Sequence, residues 1–225
     1  MKDDTSARAA FLQSIPLFQD MGEQALQRLA EDIQSHVTQP GALIFRQGDA
    51  AYTCHIVRRG KVRVFVLGED GRELSVRILG PGEIIGEMAL LDDQPRSASV
   101  EALEETETLK LHRNAFMRYV QEHPALALSL LRSLSDRLRL ATADAEEMAS
   151  LTVSERLVRR LRRLAEWSGK PVAGGTRITL PMTQEELATL VGTSRESVNR
   201  ALVRLRREGK VTLKDGWIVL SDDPD

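Results

Sequence analysis

The chain has 225 residues, 42% hydrophobic and 28% charged, ordinary globular values that exclude a disordered or collagen-like chain. The single cysteine, Cys54, excludes a disulfide framework and any four-cysteine zinc or iron–sulfur site. Because the N-terminus lacks a signal-peptide core and no apolar run approaches membrane-spanning length, we expect a cytoplasmic protein that does not bind a membrane.

The net charge of −2 is distributed unevenly along the chain. From Ser150 onward there are 14 Lys or Arg and 10 Asp or Glu, a net +4, whereas the preceding part carries 17 and 23, a net −6. A basic end joined to an acidic body indicates a nucleic-acid-binding module attached to a different domain.

The first third of the chain changes from a helical to a strand pattern. Residues 1–36 are predicted to form short amphipathic helices, one of them capped by Asp20 and Glu23. From Gln39 onward, glycines recur between β-branched runs, and residues 61–78 predict a hairpin. Many short strands separated by turns favour a barrel or a double-sheet roll, which we expect to end near residue 111 and to be followed by a short helix.

A long helix is predicted over residues 124–149. Its apolar residues alternate steps of four and three, the pattern of a helix that pairs with another helix. This seam consists of Ala127, Leu131, Leu134, Leu138, Ala141, Ala145 and Met148. Four further leucines broaden the stripe and predict packing on the chain's own body; they are Leu126, Leu128, Leu130 and Leu140. The charged residues off the seam are expected to face solvent; they are Arg132, Asp136, Arg137, Arg139 and Asp144.

The C-terminal third is predicted to be a separate module. Residues 150–154 form a joint, and Thr152 with Glu155 forms a capping box that starts a new helix. Its buried side is expected to hold Leu157, Leu161 and Leu164. A glycine-rich loop over 168–176 and a final hairpin over 210–220, turning at Asp215 and Gly216, are also predicted.

Residues 86–98 form the most specific segment of the chain. A glycine allows close approach to a ligand, and exposed N–H groups can bind an anion. Arg96 can grip phosphate oxygens with two parallel bonds, and Ser97 adds a hydroxyl. Glu87 would repel phosphate and is better suited to accept from a sugar hydroxyl. A surface turn with a solvated arginine is the alternative for Arg96 taken alone.

Residues 183–200 carry the second strong pattern, two capped helices around Gly192. Capping boxes are predicted for Thr183 with Glu186 and for Thr193 with Glu196. In the second helix the predicted inward residues are Val198, Leu202 and Leu205. The predicted outer residues of its first turns are Arg195, Glu196, Asn199 and Arg200, the positions of a helix-turn-helix that reach base edges. A solvated face with a Glu196–Arg200 ion pair is the alternative.

These two segments resemble one known family. Residues 86–98, Gly-Glu-x-Ala-Leu followed by Pro-Arg-Ser-Ala, resemble the phosphate-binding cassette of cyclic-nucleotide-binding domains. Residues 192–200, Gly-x-Ser-Arg-Glu-Ser-Val-x-Arg, resemble the recognition helix of the cyclic-AMP receptor protein / fumarate-nitrate-reduction regulator family of bacterial transcription factors. Where the family usually has an aromatic residue before the first glycine, this chain has Ile85. The resemblance covers nearly the whole chain.

The resemblance implies roles for particular residues. Gly86 and Glu87 would hold the ribose side of a cyclic nucleotide, and Arg96 and Ser97 its phosphate. The nucleobase positions fall on Ala141 and Thr142, of which only Thr142 has a hydroxyl. The implied effector is cAMP, with cGMP or no ligand as open alternatives. The implied DNA-binding residues are Thr183, Gln184, Thr193, Ser194, Arg195, Glu196, Asn199 and Arg200, with base contacts at Arg195, Glu196 and Arg200.

The resulting expectation is an α+β chain with three parts: an effector β-roll (double-stranded jelly roll) over 1–123, a dimerisation helix over 124–150 and a winged helix-turn-helix over 151–225. A homodimer would place two recognition helices one DNA turn apart, ~34 Å, on a palindrome with TGTGA-like half-sites. Ligand binding would change how the long helix continues past 150–154, and the 168–176 loop would contact RNA polymerase.

Other classes of protein fit the sequence less well. A haem sensor of the same fold is the nearest alternative, since Cys54 and His55 are adjacent, but alternate strand residues point to opposite faces. A hydrolase or transferase would need a nucleophile–base pair or a metal cluster, and the sequence indicates neither, so we expect no catalytic and no metal-binding residues. A regulatory subunit of an enzyme would share residues 86–98 but not residues 183–200.

Overall fold

The computed structural model describes residues 2–180, 182–214 and 217–221. In this part of the chain the backbone forms eight helices and twelve strands. They belong to two compact units, the first made of residues 1–71 with 76–139 and the second of residues 72–75 with 140–225. The α+β composition agrees with the predicted fold class, whereas the division into three domains stays a prediction.

The helices are α1 (Lys2–Gln13), α2 (Glu23–Asp32), α3 (Met88–Leu91), α4 (Arg113–Glu122), α5 (Pro124–Ser150), α6 (Val153–Ser168), α7 (Gln184–Val191) and α8 (Arg195–Arg207). The strands are β1 (Gln34–Thr38), β2 (Leu43–Phe45), β3 (Thr53–Arg59), β4 (Val62–Leu67), β5 (Glu73–Leu79), β6 (Ile84–Ile85), β7 (Ser99–Ala102), β8 (Thr106–His112), β9 (Gly169–Val172), β10 (Gly175–Ile178), β11 (Val211–Lys214) and β12 (Trp217–Leu220).

Two four-stranded sheets form the predicted roll, in the strand orders β1-β8-β3-β6 and β2-β7-β4-β5. Apolar side chains from both sheets meet in one core. Val57 and Ile85 come from the first sheet, and Val62 and Val100 come from the second. Because a shared core between two packed sheets defines a double-sheet roll, the predicted jelly-roll architecture is confirmed. The predicted hairpin is formed by β4 and β5, with a turn in which the Gly71 N–H donates to the Gly68 carbonyl.

The outer face of the first sheet is covered by helices. Cys54 and Leu109 of this sheet share a core with Leu29 of α2 and with Leu126 and Leu130 of α5. Strand β3 is therefore covered on both faces, which accounts for the four consecutive buried residues in its middle. The start of α5 is thus fixed on the roll, as two of the four broadening leucines predict.

The remaining leucines of α5 are exposed in the single chain, except Leu134, which is half-buried. Leu128 and Leu140 are exposed, contrary to the expectation that they pack on the chain's own body. On the seam, Leu131 is 59% and Leu138 is 69% exposed. Exposed leucines in heptad register are the surface that a second helix would cover. In the described part of the chain, no helix has both the length and the apolarity needed to cross a membrane.

The second unit contains a three-helix core closed by a small sheet. Leucines of α6 (Leu157, Leu161), α7 (Leu187) and α8 (Leu202, Leu205) are all buried, so the predicted inward faces are confirmed. The sheet has the order β11-β12-β10-β9 and forms the wing. Three helices with a wing are a winged helix-turn-helix, as predicted.

Three local expectations were wrong. The strands begin with β1 at Gln34, five residues earlier than expected, because this segment pairs along its whole length with β8. Helix α2 begins after Gly22, whose backbone is extended, and Asp20 takes no part in its cap. The glycine-rich segment 168–176 is not a loop, because β9 and β10 pair as a hairpin. The predicted turn at Asp215 and Gly216 lies outside the described residues.

Candidate functional site

The segment 86–98 begins where β6 ends and turns sharply into α3. Gly86 has φ of 76°, the left-handed region that favours glycine. A Cβ atom on Gly86 would collide with the guanidinium of Arg96 and would press on the ring of Phe45. The glycine is therefore required twice, for the turn and for the close approach of the arginine.

Arg96 is folded into the roll. Its side chain donates from Nη1 to the Gly86 carbonyl at 2.6 Å and from Nη2 to the Thr53 carbonyl at 2.5 Å. The guanidinium stacks on Phe45, 4.1 Å from the ring centre. Arg96 is only 5% exposed, and its Nε atom is buried without a hydrogen-bond partner among the described residues. Burial lowers the pKa of the guanidinium from its usual high value, but an arginine stays charged.

Glu87 is the most deeply buried carboxylate of the described residues, at 1% exposure. Arg137 of α5 donates from Nη1 to Glu87 Oε1 at 2.6 Å and from Nη2 to the Ile84 carbonyl at 2.7 Å. The second oxygen, Oε2, is buried and lacks a hydrogen-bond partner among the described residues. Burial raises the pKa of Glu87, and the charge of Arg137 works against that rise.

Arg137 corrects the expectation that this arginine faces solvent from the outside of α5. It joins the long helix directly to the segment 86–98 within the first unit. The sequence holds one indication of this role. Arg137 lies four residues before Ala141, and residues at this spacing share one face of a helix.

The predicted ligand residues are found in different surroundings. Gly86, Glu87 and Arg96 come together in the first unit, and Ser97 beside them is exposed. Ala141 and Thr142 are both exposed on the part of α5 that belongs to the second unit. The binding roles of all six residues stay predictions.

The adjacent Cys54 and His55 point to opposite faces of β3, as expected for successive strand residues. Cys54 is fully buried in the core under the helices, and burial raises the pKa of its thiol. His55 lies near Phe45, with Nδ1 3.1 Å from the Thr108 hydroxyl. Burial, followed by the charge of Arg96, lowers the pKa of His55 to about 3, so the ring is neutral. Among the described residues, no three His, Cys, Asp or Glu side chains are grouped as metal ligands.

Helix α8 presents the predicted recognition surface. Its net charge is +4, from five arginines and one glutamate. Arg195, Glu196, Asn199 and Arg200 are exposed, and Arg200 donates to the Ser197 hydroxyl at 2.9 Å. Among the described residues, Glu196 and Arg200 form no direct ion pair, and the exposure of all four side chains fits both a recognition surface and a solvated face.

The start of α8 corrects one predicted cap. The N-cap is Ser194, whose hydroxyl accepts from the Ser197 N–H at 3.3 Å, rather than Thr193. Thr193 instead belongs to the turn, where its N–H donates to the Ala188 carbonyl and follows left-handed Gly192. The capping box of Thr183 in α7 and that of Thr152 in α6 are both present as predicted.

A double-sheet roll with this buried cassette, joined through a long helix to a winged helix-turn-helix, defines a class of DNA-binding transcription regulators with a cyclic-nucleotide-binding domain. Residues 36–123 match the family described as Cyclic nucleotide-binding domain. Residues 155–224 match the family described as Crp-like helix-turn-helix domain. The chain belongs to the Crp family of transcription regulators, which are not enzymes.

Several relatives resemble the chain over nearly its full length. The CRP-like cAMP-activated global transcriptional regulator of Mycobacterium tuberculosis is 31% identical, over 98% of this chain and 96% of that protein. The Cyclic AMP receptor protein of Thermus thermophilus is 34% identical, over 90% of this chain and 91% of that protein. The structure of CLP, the c-di-GMP responsive global regulator of Xanthomonas campestris, has a TM-score of 0.80 and 27% identity, covering 90% of this chain and 100% of that one.

Proposed function

We propose that this regulator acts as a homodimer that binds a cyclic nucleotide, cAMP in the first place, and reads a palindrome with TGTGA-like half-sites. Ligand in the roll changes the affinity of the winged helix-turn-helix for DNA. RNA polymerase is the proposed further partner, through the β9–β10 hairpin.

The observation that carries the nucleotide proposal is a pair of buried polar atoms without partners. Oε2 of Glu87 and Nε of Arg96 are both in this state among the described residues. Leaving such atoms unpaired costs free energy, so they indicate a place where the polar groups of a ligand belong. A carboxylate oxygen can accept from a ribose hydroxyl, and a guanidinium can donate to a phosphate. These are the two polar parts of a cyclic nucleotide.

The names of two relatives favour cAMP. The Mycobacterium tuberculosis protein is named as cAMP-activated, and the Thermus thermophilus protein is named as a cyclic AMP receptor. At the nucleobase positions proposed here, Thr142 keeps a hydroxyl that can reach a purine edge, whereas Ala141 has none. We therefore propose cAMP with weaker discrimination against cGMP than two hydroxyls would give.

A second candidate is a different effector, or none. The charged groups of residues 86–98 have internal partners: Arg96 donates to two carbonyls, and Glu87 is paired with Arg137. Because these hydrogen bonds are already made, binding one phosphate would give Arg96 less additional free energy. The Xanthomonas campestris relative is named as responsive to c-di-GMP, so another nucleotide is a concrete form of this candidate.

The DNA-binding proposal is supported by α8. Arg195 and Arg200 are exposed on its first turns, where a recognition helix meets base edges, and arginine suits guanine O6 and N7. Glu196 between them can accept from cytosine N4. Ser194 and Thr193 precede the helix, and Thr183 and Gln184 begin α7, where N–H and hydroxyl groups suit DNA phosphates.

The dimer proposal is supported by the seam of α5. Leu131 and Leu138 are large, apolar and mostly exposed in the single chain. Isolated exposed leucines are ordinary, but leucines repeated at heptad spacing along a 27-residue helix form a stripe that a second copy can cover. A symmetric pair of recognition helices would bind a palindromic target.

Calorimetric titration with cAMP, cGMP and c-di-GMP tests the effector. We expect heat with cAMP and, for Arg96→Leu, an affinity lower by at least about tenfold, because a charge-assisted bond to phosphate contributes roughly 1.5–3 kcal/mol. Arg59→Leu is the control, since Arg59 lies outside residues 86–98 and its ion pair with Glu105 is exposed. Heat with c-di-GMP alone favours the second candidate. If no nucleotide gives a heat of binding, the effector proposal is contradicted and the DNA-binding proposal is unaffected.

A further inference from the structure

The end of α5 and the middle of α6 are joined by five charged side chains. Asp144 accepts from Arg160 at 2.8 Å and from Arg163 at 2.6 Å. Glu147, one helical turn later, accepts from Arg163 at 2.5 Å and from Arg159 at 3.4 Å. We name this group the α5–α6 ion cluster. Its members all belong to the second unit.

The α5–α6 ion cluster differs from an ordinary surface ion pair. Glu147 is only 5% exposed, and the side chains of Asp144 and Arg160 are also mostly buried. Arg163 bonds to both carboxylates at once, so its planar guanidinium is held in one orientation against α5. A network with these distances and this burial holds one geometry more firmly than isolated exposed pairs, which contribute little.

The cluster bridges the only break between the two helices. α5 ends at Ser150 and α6 begins at Val153, so Leu151 and Thr152 are the hinge. The hinge itself is tied to both helices: the Leu151 N–H donates to the Glu147 carbonyl of α5 at 3.0 Å, and Arg156 of α6 donates to the Leu151 carbonyl at 2.9 Å. Any turn of α6 about this hinge would have to break the ion cluster or carry the end of α5 with it.

Helix α6 is also the helix on which the recognition module is built. Leu157 and Leu161 of α6 are completely buried in the core that holds α7 and α8. A shift of α6 relative to that core would open a packed interior, which is costly. A displacement of α6 therefore moves the recognition helix α8 with it. The α5–α6 ion cluster determines whether α6 moves together with α5.

We propose that Asp144 and Glu147 are positioning residues that couple the long helix to the DNA-binding module through Arg160 and Arg163. This inference rests on the proposed function, because coupling has meaning only if a ligand acts on DNA binding. With the cluster intact, a ligand-induced change in α5 is passed to the recognition helix. With the cluster weakened, ligand binding survives and its effect on DNA is lost. The seam of α5 predicts a solvent-facing position for Asp144, and this role does not follow from the sequence pattern.

The test measures how much saturating cAMP increases the affinity of the 225-residue chain for a palindromic TGTGA duplex. Allosteric coupling in proteins is typically about 5- to 150-fold. For Glu147→Gln we expect this gain to fall by about tenfold while the cAMP dissociation constant changes by less than about twofold. Glu146→Gln is the matched control, because Glu146 is an exposed neighbour on α5 outside the cluster, and its gain should equal that of the unmodified chain.

A double-mutant cycle separates positioning from general damage. Asp144→Asn, Arg160→Gln and their combination are compared; if the pair acts as a unit, the double variant loses no more of the gain than either single variant. Should Glu147→Gln fail to fold, Asp144→Asn carries the same test, since it keeps the more buried carboxylate.

The possible outcomes are distinct. No gain with cAMP in the unmodified chain contradicts the proposed effector, and the inference, which rests on a ligand acting on DNA binding, falls with it. A normal gain in the unmodified chain that persists in folded Glu147→Gln and Asp144→Asn overturns the inference. An equal loss in Glu146→Gln also overturns it, because charge alone would then be responsible.

Discussion

Residues 86–98 in the roll and the recognition surface of α8 both rely on a glutamate and an arginine, but the first pair is buried and the second is exposed. Glu87 and Arg96 are almost completely buried, whereas Glu196 and Arg195 are exposed. Burial raises the pKa of Glu87, while hydrogen bonding at the helix N-terminus lowers the pKa of Glu196. Glu87 is therefore a buried carboxylate with a partner inside the protein, whereas Glu196 is an exposed carboxylate that favours its charged form.

This difference indicates how each site should respond to change. A buried charge is part of the fold, so altering its partner changes stability and ligand binding together. An exposed charge near a helix start contributes little to stability and is free to contact a partner molecule. The cassette should therefore be sensitive in unfolding experiments, and the α8 surface only in DNA-binding experiments.

The largest effect is expected for Arg137→Leu. This change removes the partner of a buried carboxylate, which typically costs about 3 kcal/mol of unfolding free energy. Urea unfolding at about pH 8 measures it. Arg139→Leu is the control, because Arg139 forms only an exposed pair with Asp136 on the same helix, and a change within about 0.5 kcal/mol is expected.

The same variant has a defined pH dependence. The pKa of Glu87 is already raised by burial, and loss of Arg137 removes a charge that opposes the rise. A carboxyl with a raised folded pKa binds its proton more tightly in the folded state, so stability falls as pH rises through that pKa. The deficit of Arg137→Leu should therefore be smaller at about pH 5 than at about pH 8. A deficit independent of pH would mean that Glu87 is not the group left unpaired.

Arg195→Ala should show the opposite behaviour. We expect a loss of about 2 kcal/mol in affinity for a TGTGA palindrome, with discrimination lost at one base pair, and a change in unfolding free energy within about 0.5 kcal/mol. Gel-shift titration on matched and mismatched duplexes measures the loss of affinity and of discrimination. Arg207→Ala removes the same charge from the far end of α8 and should weaken all sequences slightly and equally. Uniform weakening by Arg195→Ala would make that residue a phosphate contact.

The contrast between residues 86–98 and α8 also shows which structural features a sequence can predict. The outer face of α8 follows from periodicity alone, because Val198, Leu202 and Leu205 must face inward and the remaining positions are then exposed. The long helix and the glycine of the cassette follow from local patterns in the same way. Features decided by neighbours in sequence were largely correct.

Features decided by distant partners were missed. Arg137 lies 50 residues from Glu87, and no local pattern connects them. Asp144 likewise binds arginines on the next helix. The segment 168–176 contains the glycines of a loop, but β10 has both β9 and β12 as partners, and these hydrogen bonds decide its conformation. Tertiary pairing overrides local composition in such cases.

A smaller effect is expected for Gly86→Ala. The positive φ costs about 1 kcal/mol, and contact with Arg96 adds to it, so we expect a total of about 2 kcal/mol together with weaker nucleotide binding. Gly71→Ala is the matched control: its φ is 77°, but nothing lies near the added Cβ. The Gly71→Ala variant should lose only the part of the unfolding free energy that comes from the positive φ, and it should keep full nucleotide affinity. Equal losses in the two variants would show that the close approach of Arg96 does not matter.

The smallest effect separates two adjacent hydroxyls at the start of α8. Ser194 has the extended backbone of an N-cap, φ −81° and ψ 155°, and its hydroxyl accepts from the Ser197 N–H. Ser194→Ala should therefore lose about 1 kcal/mol of unfolding free energy, the usual contribution of a cap. Thr193→Ala should lose almost nothing, because the turn uses the Thr193 N–H, which alanine retains. Both residues are proposed DNA contacts, so thermal unfolding without DNA is the measurement that isolates the cap. A larger loss for Thr193→Ala than for Ser194→Ala would restore the Thr193 cap that the sequence pattern suggested, and the first turn of the recognition helix would then start one residue earlier.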